Sequence, residues 1–205
     1  TPLSAEEEQL RLLPALAAIR RVVNVPLSVD TYKPDVAAAA LDAGADILND
    51  ITGGRNREML ALAVSRRCPI ILMHNASKAL RVRPTAHGPA YAARHSAAGK
   101  EFLSRFEDEL KGLAENAAQA GLRRGQIALD PGLGFGKTVL QNLLIVRHAR
   151  RWAALGFPIM VGASRKSFIG EVLGAPANGR LMGDAAVTAL SLAGGAAMIR
   201  VHDVK

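Results

Sequence analysis

Six short apolar runs in this chain each end in residues able to bind a polar ligand. They end at Asp30-Thr31, Asn49-Asp50, Met73-His74-Asn75, Asp130-Pro131-Gly132, Ser164-Arg165-Lys166, and Arg200 with His202-Asp203. These residues accept, donate and carry charge; they do not form an obvious nucleophile–base set. Three better-known motifs are approached and missed. Gly132-Leu133-Gly134-Phe135-Gly136-Lys137-Thr138 has Pro131 where a phosphate-cradling P-loop needs its first glycine, and Lys137 where a dinucleotide fingerprint needs its third. Gly162-Ala163-Ser164-Arg165-Lys166 has Lys166 where a nucleophile elbow needs a glycine. The five histidines, His74, His87, His95, His148 and His202, show no helical His-Glu-x-x-His pairing. ATPase, serine hydrolase and zinc hydrolase chemistries are therefore disfavoured.

The elements that must position these residues alternate along the chain. The apolar runs Pro26–Val29, Ala45–Leu48, Pro69–Leu72, Gln126–Leu129, Pro158–Val161 and Ala197–Val201 suit strands buried on both faces, as in a parallel sheet. Helical spacing predicts helices over Pro34–Asp42, Arg57–Val64, Ala97–Ala120, Val139–Ala154 and Gly183–Ala193, several followed by glycine. The stretch from Asn75 to about Arg94 reads as a long loop, which in a compact domain is usually functional or mobile. Strand–helix alternation alone leaves an open doubly wound sheet and a closed barrel as alternatives. Polar groups at every strand end favour the barrel, because an open sheet gathers ligand groups near one switch point. The expected fold class is thus α/β, a TIM (β/α)8 barrel, with about six of its eight strand–helix units in this single domain over residues 1–205.

Composition narrows the setting. The net charge is +8, but the arginine pairs lie far apart and aromatics are too sparse for a base-stacking platform, so no nucleic-acid partner is expected. Charged residues interrupt every apolar stretch well short of the roughly 20 residues that cross a bilayer, and no membrane partner is expected. Lone Cys68 excludes an internal disulfide and a multi-cysteine zinc site, which fits a reducing cytoplasm. Thr1–Leu10, with three consecutive glutamates, does not read as a signal peptide.

The segments Ser28–Thr31, Ile47–Ile51, Leu72–His74, Leu129–Lys137, Ser164–Ser167 and Ile199–Asp203 together resemble the signature blocks of dihydropteroate synthases, in order and across nearly the whole chain. The resemblance implies a transferase that condenses 6-hydroxymethyl-7,8-dihydropterin diphosphate with 4-aminobenzoate, releasing diphosphate with Mg²⁺. By the same resemblance Asp130, Asn49 and Asp30 hold the pterin edge, and Met73, Ile51 and Phe135 line its faces. A carboxylate accepts two N–H groups in bidentate fashion, and Asn offers both donor and acceptor, so those residue types suit that edge. Lys166 would reach the pterin edge and the aminobenzoate; Phe135 and Ser164 would flank the aminobenzoate or sulfonamide subsite. Arg200 and His202 would hold the departing diphosphate, where a guanidinium fork matches phosphate oxygens. Lys137 and Asn142 are supporting candidates.

Plainer roles stand beside these. Asp30 could cap the following helix, Asn49 or Asp50 could form a turn before Gly53-Gly54, and Asp130-Pro131-Gly132 could be an ordinary turn. Arg165 and Asp203 could be surface ion-pair residues, His74 packed or hydrogen-bonded, Trp152 packed on the outer helices, and Cys68 a small core residue. The family pattern begins with two further strands and ends with a further helix that this chain does not show. The Mg²⁺ ligand is expected there, so no metal ligand is assigned within the chain. On that reading the 205 residues by themselves are expected to be inactive or poorly folded, with sheet edges exposed. The resemblance further implies a homodimer. A corrinoid-linked pterin methyltransferase and a non-catalytic barrel are the rival readings.

Overall fold

In a computed structural model, residues 3–76 and 97–204 are described. His87 and His95, and most of the expected loop after Asn75, lie outside them. The element order is α1 (Ala5–Arg20), β1 (Ser28–Asp30), α2 (Pro34–Asp42), β2 (Ile47–Asp50), α3 (Arg57–Ser65), β3 (Ile70–Met73), α4 (Ala97–Gln119), β4 (Ile127–Asp130), α5 (Val139–Arg147), α6 (Ala149–Ala153), β5 (Met160–Val161), α7 (Ser167–Leu173), α8 (Leu181–Ala193) and β6 (Met198–Ile199). The chain divides into two compact units, Thr1–Met73 with Leu113–Ala128, and His74–Gly112 with Leu129–Lys205.

In the first unit, parallel pairing sets Asp30 opposite Asn49, and Asn49 opposite Ile71. The order β1-β2-β3 places each of these strands beside its sequence neighbour, with α2 and α3 as the crossovers that parallel pairing needs. Leu48, Ile70 and Leu72 are fully buried, and so are Val36, Ala37 and Ala40 on α2 and Met59 and Ala63 on α3. That burial is the hydrophobic term that holds short strands in place. Cys68 is buried in this core, and burial pushes its thiol pKa up. At the start of the chain Ser4 and Glu7 form a capping box on α1. Glu8 accepts from Lys33 Nζ and from Thr31 Oγ1, each at 2.6 Å, tying α1 to the carboxyl end of β1.

In the second unit, β5 and β6 pair in parallel, and Leu129 bridges to Ile159 in the same sense. Phe106, Trp152 and Phe168 are the large buried aromatics. Phe106 meets the Trp152 ring edge-on at 4.9 Å and the His74 ring at 4.7 Å.

The strands start one or two residues later than expected, and the first four also end one or two residues later, so Asp30, Asn49, Asp50 and Asp130 are strand residues rather than the first loop residues; β5 ends where expected and β6 two residues earlier. Pro26, Pro69 and Pro158 lack the N–H that a ladder uses, which pushes the starts inward. The expected helix Val139–Ala154 is two helices broken at His148 (φ −99, ψ 25). Trp152 explains the break: its indole N–H donates to the Ile145 carbonyl at 2.9 Å, taking an acceptor freed by the helix end. Helix α7 has no counterpart among the expected helices. It is seven residues long and ends on Gly174 in the left-handed conformation. No helix among the described residues is long and apolar enough to cross a membrane.

Candidate active site

In the first unit the plain and the chemical roles separate at neighbouring residues. Asp50 is fully buried and is spent on the backbone. Its Oδ1 accepts from the Thr52 N–H at 2.8 Å and the Thr52 hydroxyl at 2.6 Å, and its Oδ2 from the Gly54 N–H at 2.8 Å. The turn that follows brings Gly53 (φ 69) so close to the Met73 carbonyl that a Cβ would sit 2.7 Å from that oxygen. Only glycine fits there. Asn49, one residue earlier, is also buried, yet its Oδ1 has no hydrogen-bond partner among the described residues. A buried acceptor without a donor is costly, and this one is left open to a donor from outside the described residues. Asp30 does not cap α2, whose N-cap is Lys33 without a side-chain bond. Asp30 is exposed at the end of β1, Ile51 is half-buried after β2, and Met73 is buried as the last residue of β3.

The second unit builds a denser group. Asp130 ends β4, and its Oδ1 accepts from the Gly132 N–H at 2.7 Å. Burial raises its carboxyl to about 6, against the pull of that N–H and of the Lys137, Lys166 and Arg200 charges. The loop after it is clasped from inside. Lys137, 2% exposed, donates to the carbonyls of His74 (2.9 Å), Gly132 (2.8 Å) and Phe135 (3.2 Å). Burial presses its amine down to about 7, with the Asp130 and Glu109 carboxylates opposing. Three carbonyl acceptors match all three N–H groups of an ammonium, so the hydrogen bonds favour the cation against the burial. Asn142, fully buried, accepts from the Gly134 N–H (2.8 Å) and donates to the Thr138 carbonyl (2.8 Å). Lys137→Met keeps the stem and leaves three carbonyls without their donor. It is expected to cost about 3 kcal/mol in chemical denaturation of the full-length protein; a loss under about 0.5 kcal/mol would mean the clasp carries no weight.

His74 packs rather than reacts. Burial, with Lys137 adding, pushes its imidazole down to about 4 although Glu109 opposes, so the ring is neutral near pH 7. Its Nε2 lies 2.6 Å from Glu109 Oε2, an arrangement that puts the ring proton on Nε2.

Lys166, half-buried at the head of α7, projects its Nζ over the Phe135 ring, 4.1 Å from the centroid. The face of an aromatic ring attracts a cation at that distance. Gly134 (φ 81) makes room, since a Cβ there would lie 3.1 Å from Lys166 Cδ. The buried Ser164 hydroxyl donates to Asp184 Oδ2 at 3.2 Å and accepts from the His202 N–H at 3.3 Å, joining the end of β5 to the segment after β6. Arg165 pairs with Asp203 at 2.8 Å on the surface. Arg200 and His202 are exposed beyond β6, with the Arg200 N–H bonded to the Val161 carbonyl at 2.9 Å.

Thus Asp130, Phe135, Ser164, Lys166, Arg200 and His202 come from the ends of β4, β5 and β6 within one unit, while Asp30, Asn49, Ile51 and Met73 sit at the ends of β1, β2 and β3 in the other. Sequence reasoning passed over Asp184, which contacts the Ser164 turn from α8; an acidic residue in a helix's first turn reads as a dipole partner and nothing more. Among the described residues no three His, Cys, Asp or Glu side chains come together to hold a metal ion. These side chains do not by themselves fit a Mg²⁺ site.

The pterin binding enzyme family model matches residues 1–202. The dihydropteroate synthase of Synechocystis is 37% identical over 204 residues, covering 98% of this chain and 67% of its own. The Bacillus subtilis enzyme of the same name is 37% identical over 206 residues, covering 98% and 65%. This chain therefore spans about two thirds of the length of these relatives. The solved structure of dihydropteroate synthase from Xanthomonas albilineans in complex with 7,8-dihydropteroate is 33% identical, covers 98% of this chain and 72% of its own, and superposes with a TM-score of 0.84. The fold class is accordingly the α/β TIM barrel of those enzymes, represented among the described residues by six strands. The chain belongs to the pterin-binding enzyme family, among its dihydropteroate synthases.

Proposed function

We propose that this chain carries the pterin pocket, the aminobenzoate contacts and the Arg/His anion grip of a dihydropteroate synthase. The enzyme joins 6-hydroxymethyl-7,8-dihydropterin diphosphate to 4-aminobenzoate and gives 7,8-dihydropteroate and diphosphate. The observation that carries this reading is the Asp130–Phe135–Lys166 group: a buried carboxylate, an aromatic face and a lysine cation over that face, 4.1 Å from its centroid. The carboxylate accepts two donors of the pterin edge, and Asn49 Oδ1 supplies a further acceptor. Asp30 adds a polar contact, and Ile51, Met73 and Phe135 supply apolar faces for the ring.

Little covalent work falls to the protein. The arylamine nitrogen attacks the pterin methylene, the C–O bond to diphosphate breaks, and the arylammonium gives up its proton. Holding the two reactants together supplies the proximity advantage. Arg200 and His202 stabilise charge growing on the leaving oxygens, and Lys166 and Ser164 place the aminobenzoate. Mg²⁺, which the family uses, would add charge neutralisation on the diphosphate; no residue of this chain is assigned to it. A rival methyltransferase reading gains nothing from the Arg200/His202 pair, because a methyl donor releases no diphosphate. A cytoplasmic homodimer completes the reading; the exposed Leu181, Met182, Leu190 and Leu192 of α8 are apolar surface that a second copy would cover.

Calorimetric titration of the full-length protein with the pterin diphosphate tests the pocket. Saturable binding is expected, weakened by about tenfold in Asn49→Ala as one hydrogen bond to a buried acceptor is lost. Absence of saturable binding to the unaltered protein would overturn the proposal.

A further inference from the structure

The Ser164–Lys166 turn carries a conformation that its own sequence does not favour. Arg165 has φ 60, the left-handed region, where a Cβ crowds the backbone and glycine is usual. Something outside the turn must hold it. Two side chains from the start of α8 do so, gripping Arg165 through both of its backbone polar groups. The Arg165 N–H donates to Asp184 Oδ2 at 2.8 Å, and Arg180 Nη1 donates to the Arg165 carbonyl at 2.8 Å. The same Asp184 oxygen accepts the Ser164 hydroxyl at 3.2 Å, which turns a Ser164 lone pair toward the His202 N–H at 3.3 Å. One carboxylate oxygen thereby fixes the backbone entering Lys166, the rotamer of Ser164, and the link to the His202 segment.

We infer that Asp184 is the positioning residue of the aminobenzoate end of the site, acting through Ser164 and Arg165 and touching no substrate itself. It is 6% exposed, and its second oxygen, Oδ1, is buried with no hydrogen-bond partner among the described residues. A buried carboxylate spends its desolvation on the donors it holds, and here both donors belong to the turn that presents Lys166. A purely structural aspartate would be expected to use both oxygens, as Asp50 does. The inference rests on the assignment of Ser164 and Lys166 to the aminobenzoate.

The test is steady-state kinetics of the full-length protein with both substrates varied. In Asp184→Ala, KM for 4-aminobenzoate is expected to rise by about tenfold or more, as expected for losing hydrogen bonds to a charged group. Affinity for the pterin diphosphate should fall by less, because the Asp130 carboxylate that accepts from the pterin edge is held by the Lys137 and Asn142 loop rather than by Asp184. Asp184→Asn keeps an acceptor oxygen for the Arg165 N–H and is expected to restore most of the aminobenzoate KM. If Asp184→Ala does not fold, Arg180→Met removes the other grip on Arg165 and should give the same selective rise. Equal losses for both substrates, or Asn no better than Ala, would overturn the inference. If the unaltered protein does not turn over 4-aminobenzoate at all, the functional assignment fails first, and the two failures are told apart.

Discussion

Replacing Asp130 with Asn is expected to lower kcat/KM by about two orders of magnitude, with most of the loss in pterin binding. The carboxylate offers acceptors on both oxygens; the amide keeps one and turns a donor toward a donor on the ligand. The packing should survive, since the Gly132 N–H at 2.7 Å can still be accepted by the remaining oxygen. A pH signature accompanies this. Burial raises the Asp130 carboxyl from its ordinary 3.8 to about 6. As pH falls through about 6 the carboxylate becomes a neutral acid and loses an acceptor, so pterin affinity should fall by about tenfold per pH unit below that point. Asp130→Asn should flatten this dependence. The linkage to folding has the opposite sign. A pKa raised in the folded state means that protonation favours folding, so this group's contribution is fully present below 3.8 and is lost as pH rises through about 6. The folded protein therefore holds a carboxylate at neutral pH against its own stability, which is expected of a ligand-binding acid and not of a turn former. Equal kcat/KM in the variant and the unaltered protein, read in the same steady-state assay, would remove Asp130 from the site.

Lys166→Ala is expected to reduce kcat/KM by about a hundredfold or more, because it deletes a cation in a partly desolvated position beside both reacting partners. The lysine lies over the Phe135 ring at 4.1 Å, so truncation also bares one face of that ring. The thermal midpoint should change little. Lys166 stands ahead of α7 as its N-cap and makes no side-chain capping bond there. Loss of turnover with unchanged unfolding is the expected pair of results; unchanged turnover would contradict the assignment. Lys137 makes a useful contrast. It too lies near Asp130, yet its three donors are committed to carbonyls, and its substitution should act chiefly on stability.

Much of this architecture was legible in the residues. Continuous apolar runs ending in polar residues located the six strands of the described residues; β2 to β5 are buried on both faces and have no alternation to blur them, whereas β1 and β6 are partly exposed. Helix α2 was placed to the residue, since Pro34 opens it and Gly44 follows it. Less legible were features set by contacts distant in sequence. The break at His148 depends on where Trp152 finds an acceptor, and α7 is too short for its periodicity to stand out. At the site, the pair Asn49-Asp50 looked ambiguous as sequence, and hydrogen bonding divides it into a turn former and an unpartnered acceptor. Asp184 could not have been found that way. Its role depends on a backbone angle at Arg165, nineteen positions earlier in the chain, that no composition or spacing encodes.

The central claim is that these strand ends join a pterin to an arylamine with loss of diphosphate. Diphosphate release by the full-length protein, followed with the pterin diphosphate present while 4-aminobenzoate is titrated, tests it most directly. The account predicts release that saturates with 4-aminobenzoate, matches 7,8-dihydropteroate formed one for one, and collapses in both Asp130→Asn and Lys166→Ala. Saturable pterin binding with no diphosphate release at any 4-aminobenzoate concentration would contradict it.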